Sequence, residues 1–573
     1  MPKKVIENCT VSDAYLAVLA DRGVDYLFAN AGTDFAPLIE ALAKSQALGT
    51  KHPIPITCPH ENTAQHMAIG YYLVTGRPQL TMMHVNVGTA NAMNGLLNAS
   101  RGQVPMIFTA GRTPTNEDSL KGHRSLDIHW TQEMFDQGGM TREAVKWDYE
   151  LRNAEQVETV IDRILSVIMS DPKGPAYLSL PREVLAIELE KFEYESPGRI
   201  QPAAPSMPNE AALDEAASIL AGAENPVIIT NWAGRNPGVM PALQALVEEY
   251  AIPVVEYRNR YVAIQRQHPM YAGGNPNPYV ERADAILVVD SATPWLPSQV
   301  KPVDDCKVIH MAPDPHYSYL PIRGFRADIA LACDSAMGLS ALHEAMSAHK
   351  KSGDQYRDKR RSATEEEHNK LEEGWAKKLE QVKDATPLHP AFISHCISQI
   401  ADADTIFAKE SQLQVQYLDT SKPAKILNAG ASSGLGHGMG VALGAKLADR
   451  EKLVIGTHGD GSYMFNCPIS AHYVSAEQEL PILTIVFNNQ KWQAVRGSAL
   501  SLNPDGYAAK ANQPPLMYFT VDQHYERAVE VSGGYGEQVN DPKDMMPALE
   551  RALKAVTVEK RQALLNVTAS DPT

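Results

Sequence analysis

Short apolar runs that stop at small or oxygen-bearing residues recur along this chain, and helical patterns fill the intervals between them. No other feature restricts the fold as strongly. Strand-length apolar runs alternating with helix-length segments are the pattern of parallel sheets joined by helical crossovers. Between about residues 10 and 185 the strands read VDYLFANAGTD, IPITCPHE, QLTMMHVNVGTAN and VPMIFTAGR, with ENTAQHMAIGYYLVTG and NAMNGLLNASRG as helices between them. GPAYLSLPREVL closes this unit, and the Pro-rich ESPGRIQPAAPSMPNEAA reads as a linker. A second unit, about 206–345, repeats the pattern in NPVIITNWAG, IPVVEY, ADAILVVDSA and CKVIHMAPDP. A third, from about 386 to the end, repeats it in ADTIFAKES, ILNAGASSGLGHGMGVALGAKLA, KLVIGTHGDG and ILTIVFNN. The expected fold class is α/β, with three doubly wound parallel-sheet domains over 1–190, 206–345 and 386–573. The stretch between the last two, 346–385, is dense in both charge signs and predicts an exposed helical connector. The first and third units are candidates for structural twins.

Composition narrows the function classes. At 573 residues the chain is too long for one core. A formal net charge of −16 argues against nucleic acid as a partner. No apolar stretch is long enough to span a membrane. The N-terminus carries Lys3 and Lys4 without an apolar signal core, and reads as the start of a first helix capped near Ser12 or Asp13. Cys9, Cys58, Cys306, Cys333, Cys396 and Cys467 are widely spread, which fits free thiols in a reducing compartment, so a cytoplasmic protein is expected.

The chemistry concentrates at two strand ends of the third unit. KLVIGTHGDG ends in Gly459-Asp460-Gly461 followed by Ser462, and ILTIVFNN ends in Asn488-Asn489, one helical crossover later. Parallel neighbours joined by such a crossover bring their ends together, and open α/β sheets bind ligands there. Glycines admit a ligand close to the backbone, and free amides there can hold phosphate oxygens. A carboxylate, an amide carbonyl and a main-chain carbonyl make a partial oxygen cage that magnesium or calcium completes with phosphate and water.

This pairing resembles the thiamine-diphosphate motif of the thiamine-diphosphate-dependent decarboxylases and carboligases, a family that includes acetolactate synthase, pyruvate decarboxylase and benzoylformate decarboxylase. The resemblance extends over nearly the whole chain, as pyrimidine-binding, central and diphosphate-binding domains in that order. It implies thiamine diphosphate and Mg2+ as cofactors, with Asp460, Asn489 and the carbonyl of Lys491 on the metal, and Gly459, Gly461 and Ser462 beside the diphosphate. Glu61, in TCPHENTAQHMAIGYYLVTG, matches the family's glutamate. It would act as a remote acid/base on the aminopyrimidine. NAGASSGLGHGMGVALGA is similar to the segment that bends the cofactor, which puts Leu435 at the wedge and Ser433 at the pyrimidine edge. Gln412, in KESQLQVQYL, matches a diphosphate contact, whereas Leu413 stands where acetolactate synthases tend to have histidine.

The substrate side is mixed. Thr33 falls where the benzoylformate decarboxylase branch has serine, and Asp34 follows it. The paired histidines of the pyruvate decarboxylase branch are missing; His84 stands alone, with Asn86 and Asn94 nearby. Gln132, in IHWTQEMF, matches a substrate-facing glutamine of the acetolactate synthase branch. The resemblance thus implies an enzyme acting on a small 2-oxo acid, with Glu61, Gln132, His84 and Thr33 as catalytic residues. An acetolactate-synthase-like carboligase is favoured. A simple decarboxylase of the benzoylformate type follows, then a 2-hydroxyacyl-CoA lyase or oxalyl-CoA decarboxylase, and last a non-catalytic scaffold. Relatives bind FAD or ADP in the central domain; NWAGRNPG does not assign either. In this family Glu61 and Asp460 of one site come from different subunits, so a homodimer is the expected minimum and a homotetramer the expected assembly.

Overall fold

The computed structural model describes residues 2–352, 354–410, 412–418 and 425–571. It contains three parallel sheets. In the first domain the strands Tyr26–Ala29, Ile54–Thr57, Leu80–Met83, Ile107–Arg112, Asp148–Glu150 and Ala176–Pro181 lie in the spatial order second, first, third, fourth, sixth, fifth. In the third domain Ile406–Lys409, Lys425–Leu427, Val454–Gly459, Leu483–Asn488, Tyr535–Val539 and Ala563–Thr568 take the same order. The twin relationship expected from the sequence is therefore a shared topology. The central sheet, Pro226–Thr230, Val254–Glu256, Ala285–Val289, Lys307–Ala312 and Ile329–Ala332, runs second, first, third, fourth, fifth. All three are doubly wound α/β sheets. In each the order reverses between the first and third strands, and a crevice opens at their carboxyl ends.

The twin domains meet through the helices that follow their second strands, Glu61–Thr75 and Gly438–Ala448. Glycines make this crossing close. A Cβ on Gly70 would stand 2.2 Å from the carbonyl oxygen of Val441, and one on Gly444 would stand 2.0 Å from that of Met67. Met67, Ile69, Val441 and Leu443 consequently share one buried core with Trp232 and Tyr317 of the central domain. The interface is continuous apolar packing, which resists hinge motion better than a polar one.

Two features differ from the sequence reading. Residues Lys3–Thr10 form a strand that pairs antiparallel with Glu188–Glu195, a ribbon that ties the start of the first domain to its end. The first helix, Val11–Asp21, is capped by Thr10, with Asp13 as the reciprocal member of a capping box. The cap thus lies two to three residues ahead of Ser12 and Asp13, and Asp13 takes part in it.

The connector forms the helix Asp354–Val382. It is polar on most of its circumference, and such a helix needs specific anchors. Arg360 supplies one, donating to the carbonyls of Ala251 at 2.8 Å and Ala223 at 3.0 Å. Among the described residues no helix is long and apolar enough to cross a membrane, and all six cysteines are free thiols.

Candidate functional site

The strand Val454–Gly459 pairs with Leu483–Asn488 in parallel register, Gly459 opposite Phe487. This sets Asp460 beside the turn that carries Asn489 and Lys491. A cavity of about 690 Å³ opens there, and its walls come from residues 409–495 alone. Gln412, Ser433, Leu435, Gly459, Asp460, Gly461, Ser462, Asn489 and Lys491 all line it. The strand ends thus gather every cofactor and metal residue expected from the sequence except Glu61.

Asp460 is buried; its Oδ1 accepts the Gly461 amide at 2.8 Å, while its Oδ2 is buried without a partner. Burial pushes the carboxyl up to about 6, against nearby amides that favour its charge. A buried carboxylate oxygen without a donor is costly unless a cation takes it. Asn489 Oδ1 accepts the Lys491 amide at 3.3 Å, and the Lys491 carbonyl accepts the Gln493 amide at 3.0 Å. Among the described residues no group of three or more His, Cys, Asp or Glu side chains is placed to hold a metal. The bare Asp460 Oδ2, with the amide oxygen of Asn489 and the Lys491 carbonyl, fits a hard cation that takes its remaining ligands from phosphate and water. Gly461 has a local reason as well: a Cβ there would stand 2.2 Å from the Trp492 ring.

The loop beneath this cavity is held from both sides. Ser433 takes a left-handed conformation, φ 60°, and Leu435 lines the cavity. From the first domain, Asn98 donates to the Gly434 carbonyl at 2.9 Å, Asn94 to that of Leu435 at 2.8 Å and Asn62 to that of Gly436 at 2.6 Å. From the third domain, the buried Glu410 carboxylate accepts the amides of Gly436, His437 and Gly438, His458 Nδ1 at 3.0 Å and Asn466 Nδ2 at 2.6 Å. Burial works against the Glu410 charge, yet His437, His458 and Asn466 together hold it well below the usual carboxylate range. Sequence reasoning missed Glu410; its one signal was a charged residue at the end of an apolar strand.

Glu61 opens the helix Glu61–Thr75, behind the cap residue His60. Its Oε2 accepts Asn91 Nδ2 at 2.5 Å. It does not line the Asp460 cavity. Thr33, His84 and Gln132 gather at the first domain's own crevice, at the ends of Tyr26–Ala29 and Leu80–Met83. His84 Nδ1 lies 2.5 Å from Asp34 Oδ1, and His84 Nε2 lies 3.1 Å from Gln132 Nε2. Thr33 is exposed and its carbonyl accepts Arg182 at 3.5 Å. Asp34 went unassigned in the sequence reading.

The central crevice, about 520 Å³, is lined by Trp232–Pro237, Asp290, Asp334 and Ser335. Asp334 Oδ1 already takes the amides of Ala336 and Met337 at the start of the helix Ser335–Met346. A Cβ on Gly234 would stand 2.0 Å from the Val262 carbonyl, so this glycine serves chain packing. Asp290 adds a second carboxylate, which burial pushes up to about 6. Lys173, Arg235 and Lys425 also border this crevice, and no nucleotide is assigned to it.

Comparison with known proteins accords with this arrangement. Residues 9–140 match "Thiamine pyrophosphate enzyme, N-terminal TPP binding domain", residues 213–342 the central domain, and residues 410–567 the C-terminal TPP binding domain. The chain belongs to the thiamine pyrophosphate, or thiamine diphosphate, enzyme family. Its relatives include proteins named as a decarboxylase and as an acetolactate synthase. It is 26% identical to benzoylformate decarboxylase of Pseudomonas aeruginosa, covering 90% of this chain and 92% of that protein. It is 24% identical to acetolactate synthase isozyme 3 large subunit of Escherichia coli, covering 96% and 93%. In fold it is similar to a thiamine diphosphate-dependent 4-hydroxybenzoylformate decarboxylase of Rhodococcus jostii RHA1, with a TM-score of 0.76 at 24% identity, covering 99% of this chain and 100% of that one.

Proposed function

We propose that the protein is a magnesium- and thiamine diphosphate-dependent decarboxylase of 2-oxo acids, which releases carbon dioxide and the corresponding aldehyde. Thiamine diphosphate, when bound, supplies the electron sink for the carbon–carboxylate bond. Asp460, Asn489 and the Lys491 carbonyl would hold the magnesium. Gln412, Gly459, Gly461 and Ser462 border the diphosphate, and Ser433 and Leu435 shape the floor. Glu61 would hydrogen-bond the aminopyrimidine and act there as a remote acid/base.

The observation that carries decarboxylation over carboligation is the state of His84. Both outcomes consume one proton, but only decarboxylation delivers it to the carbon that has lost carbon dioxide, so that a 2-oxo acid anion and H+ give an aldehyde and carbon dioxide. In carboligation that carbon bonds the acceptor and the proton goes to the acceptor oxygen. His84 is one-fifth exposed and held on Asp34, which leaves Nε2 to supply that proton and regain it from water. Gln132, which carried the comparison with acetolactate synthases, is engaged with His84. Thr33 is placed beside them to orient the substrate. The cavity at Asp460 draws no wall from the first domain, so Glu61 and His84 reach it from a second copy of the chain. The proposed working unit is a homodimer, and a pair of dimers completes a tetramer.

The test is to load the protein with thiamine diphosphate and magnesium and offer pyruvate, 2-oxobutanoate and benzoylformate. Carbon dioxide and aldehyde in equal amounts are expected. Acetolactate or a similar ligated product as the main outcome would replace this reading with the carboligase one. No carbon dioxide from any 2-oxo acid would end both.

A further inference from the structure

We infer that Asp34 is a positioning residue whose carboxylate fixes the tautomer and aim of His84, so that Nε2 is the ring nitrogen left to exchange a proton, with Gln132 as its reversible partner. The catalytic consequence rests on the decarboxylase reading; the structural assignment does not.

Four observations support it. First, Asp34 is 4% exposed and its Oδ1 lies 2.5 Å from His84 Nδ1, while its Oδ2 accepts the Val85 amide at 3.4 Å. A buried carboxylate accepts only, so His84 must donate from Nδ1. Second, two glycines clear the space, Gly32 in the loop after the strand Tyr26–Ala29 and Gly111 in the strand Ile107–Arg112. A Cβ on Gly32 would stand 2.0 Å from His84 Nδ1, and one on Gly111 would stand 1.8 Å from Asp34 Oδ2. Third, Val85 has φ 34°, an unfavourable conformation for a β-branched residue, in the position that aims His84. Fourth, Gln132 Nε2 faces His84 Nε2 at 3.1 Å, while Gln132 Oε1 is buried without a partner. As a donor the amide suits neutral His84. Turned over, its Oε1 would accept from His84 once Nε2 carries a proton. One side chain thus serves both protonation states.

The nearby carboxylates act in the same direction. The bond to Asp34 raises the His84 pKa above its ordinary value; burial opposes this, and the charges of Asp34 and Glu61 add to it. His129 also faces the group, kept neutral by burial and by Arg182 and Arg124. Arg182 stands on the Thr33 carbonyl and balances Asp34.

The test uses histidine-labelled holoenzyme in wild-type, Asp34→Asn and Gln132→Ala forms, with His84→Gln identifying the His84 signals. Nitrogen NMR reads the tautomer and the titration midpoint. Wild-type His84 should carry its neutral proton on Nδ1 and titrate above about 6.5. In Asp34→Asn the midpoint should fall below the wild-type one and the tautomers should mix. The His84 limb of the kcat/KM profile should move with it. Gln132→Ala should keep the Nδ1 tautomer, because Asp34 remains; this variant decides the matter if Asp34→Asn does not fold. An Asp34→Asn protein with the wild-type tautomer and midpoint would overturn the inference, as would a switched tautomer in Gln132→Ala. If the titration behaves as described but no 2-oxo acid is turned over, the function reading fails and the Asp34 assignment stands.

Discussion

A carboxylate taken out of water needs donors or a cation to keep its charge, and three carboxylates meet that demand differently here. Glu410 has five donors and stays ionised. Asp34 has an imidazole. Asp460 has one short amide contact and a bare Oδ2. We expect Asp460→Ala to fold normally by circular dichroism, because burial already opposes this carboxylate's charge, and to weaken magnesium-dependent thiamine diphosphate binding at least tenfold, about 1.4 kcal/mol. Calorimetric titration measures this, and unchanged affinity would remove Asp460 from the cage. Asp460 and Asn489 were legible in the sequence because each ends its own apolar strand, where the grammar of open sheets places ligands. Glu410 and Asp34 were not, because their partners lie 48 and 50 residues away at His458 and His84. Nothing local in KES or GTD announces a histidine across the crevice.

At the scale of elements, glycine has opposite meanings in two helices. In the interior of an exposed helix Gly costs roughly 1 kcal/mol relative to Ala. Gly374, in the connector helix, has nothing within 4 Å of its virtual Cβ, so Gly374→Ala should stabilise by up to about 1 kcal/mol. Gly444 faces the Met67 carbonyl at 2.0 Å. Gly444→Ala should therefore destabilise by about 1–3 kcal/mol or more through overpacking. Denaturant unfolding of both variants checks the contrast; equal signs would show that the helix crossing is not the tight joint described. GVALGAKLA predicted a Gly-rich helix, but the partner that needs the glycine sits in the other twin. The amino-terminal ribbon was missed for a similar reason: KKVIENCT alternates weakly, and its pairing strand Glu188–Glu195 is a domain's length away.

At the scale of the whole molecule, the separation of Glu61 from the Asp460 cavity predicts complementation between subunits. Glu61→Gln and Asp460→Ala homodimers should each be nearly inactive. Coexpressed, they form mixed dimers in which one site carries both changes and the other neither. Activity well above either parent is the expected result, measured as carbon dioxide release; none above the parents, with mixed dimers shown to form, would place both residues in one chain's site. Three repeats of strand, helix and strand end, and the pairing of Gly459-Asp460-Gly461 with Asn488-Asn489, determined from sequence alone the α/β class, the three parallel sheets and the cofactor's family. These are local or periodic properties, written in the order of residues. Tertiary structure alone decided that the first and third sheets are topological twins, that three asparagines and Glu410 clamp the Gly434–Gly438 loop, and that Asp34 holds His84. Such contacts arise where crossovers return the chain to the same crevice, and no periodicity encodes the distance between side chains that meet there.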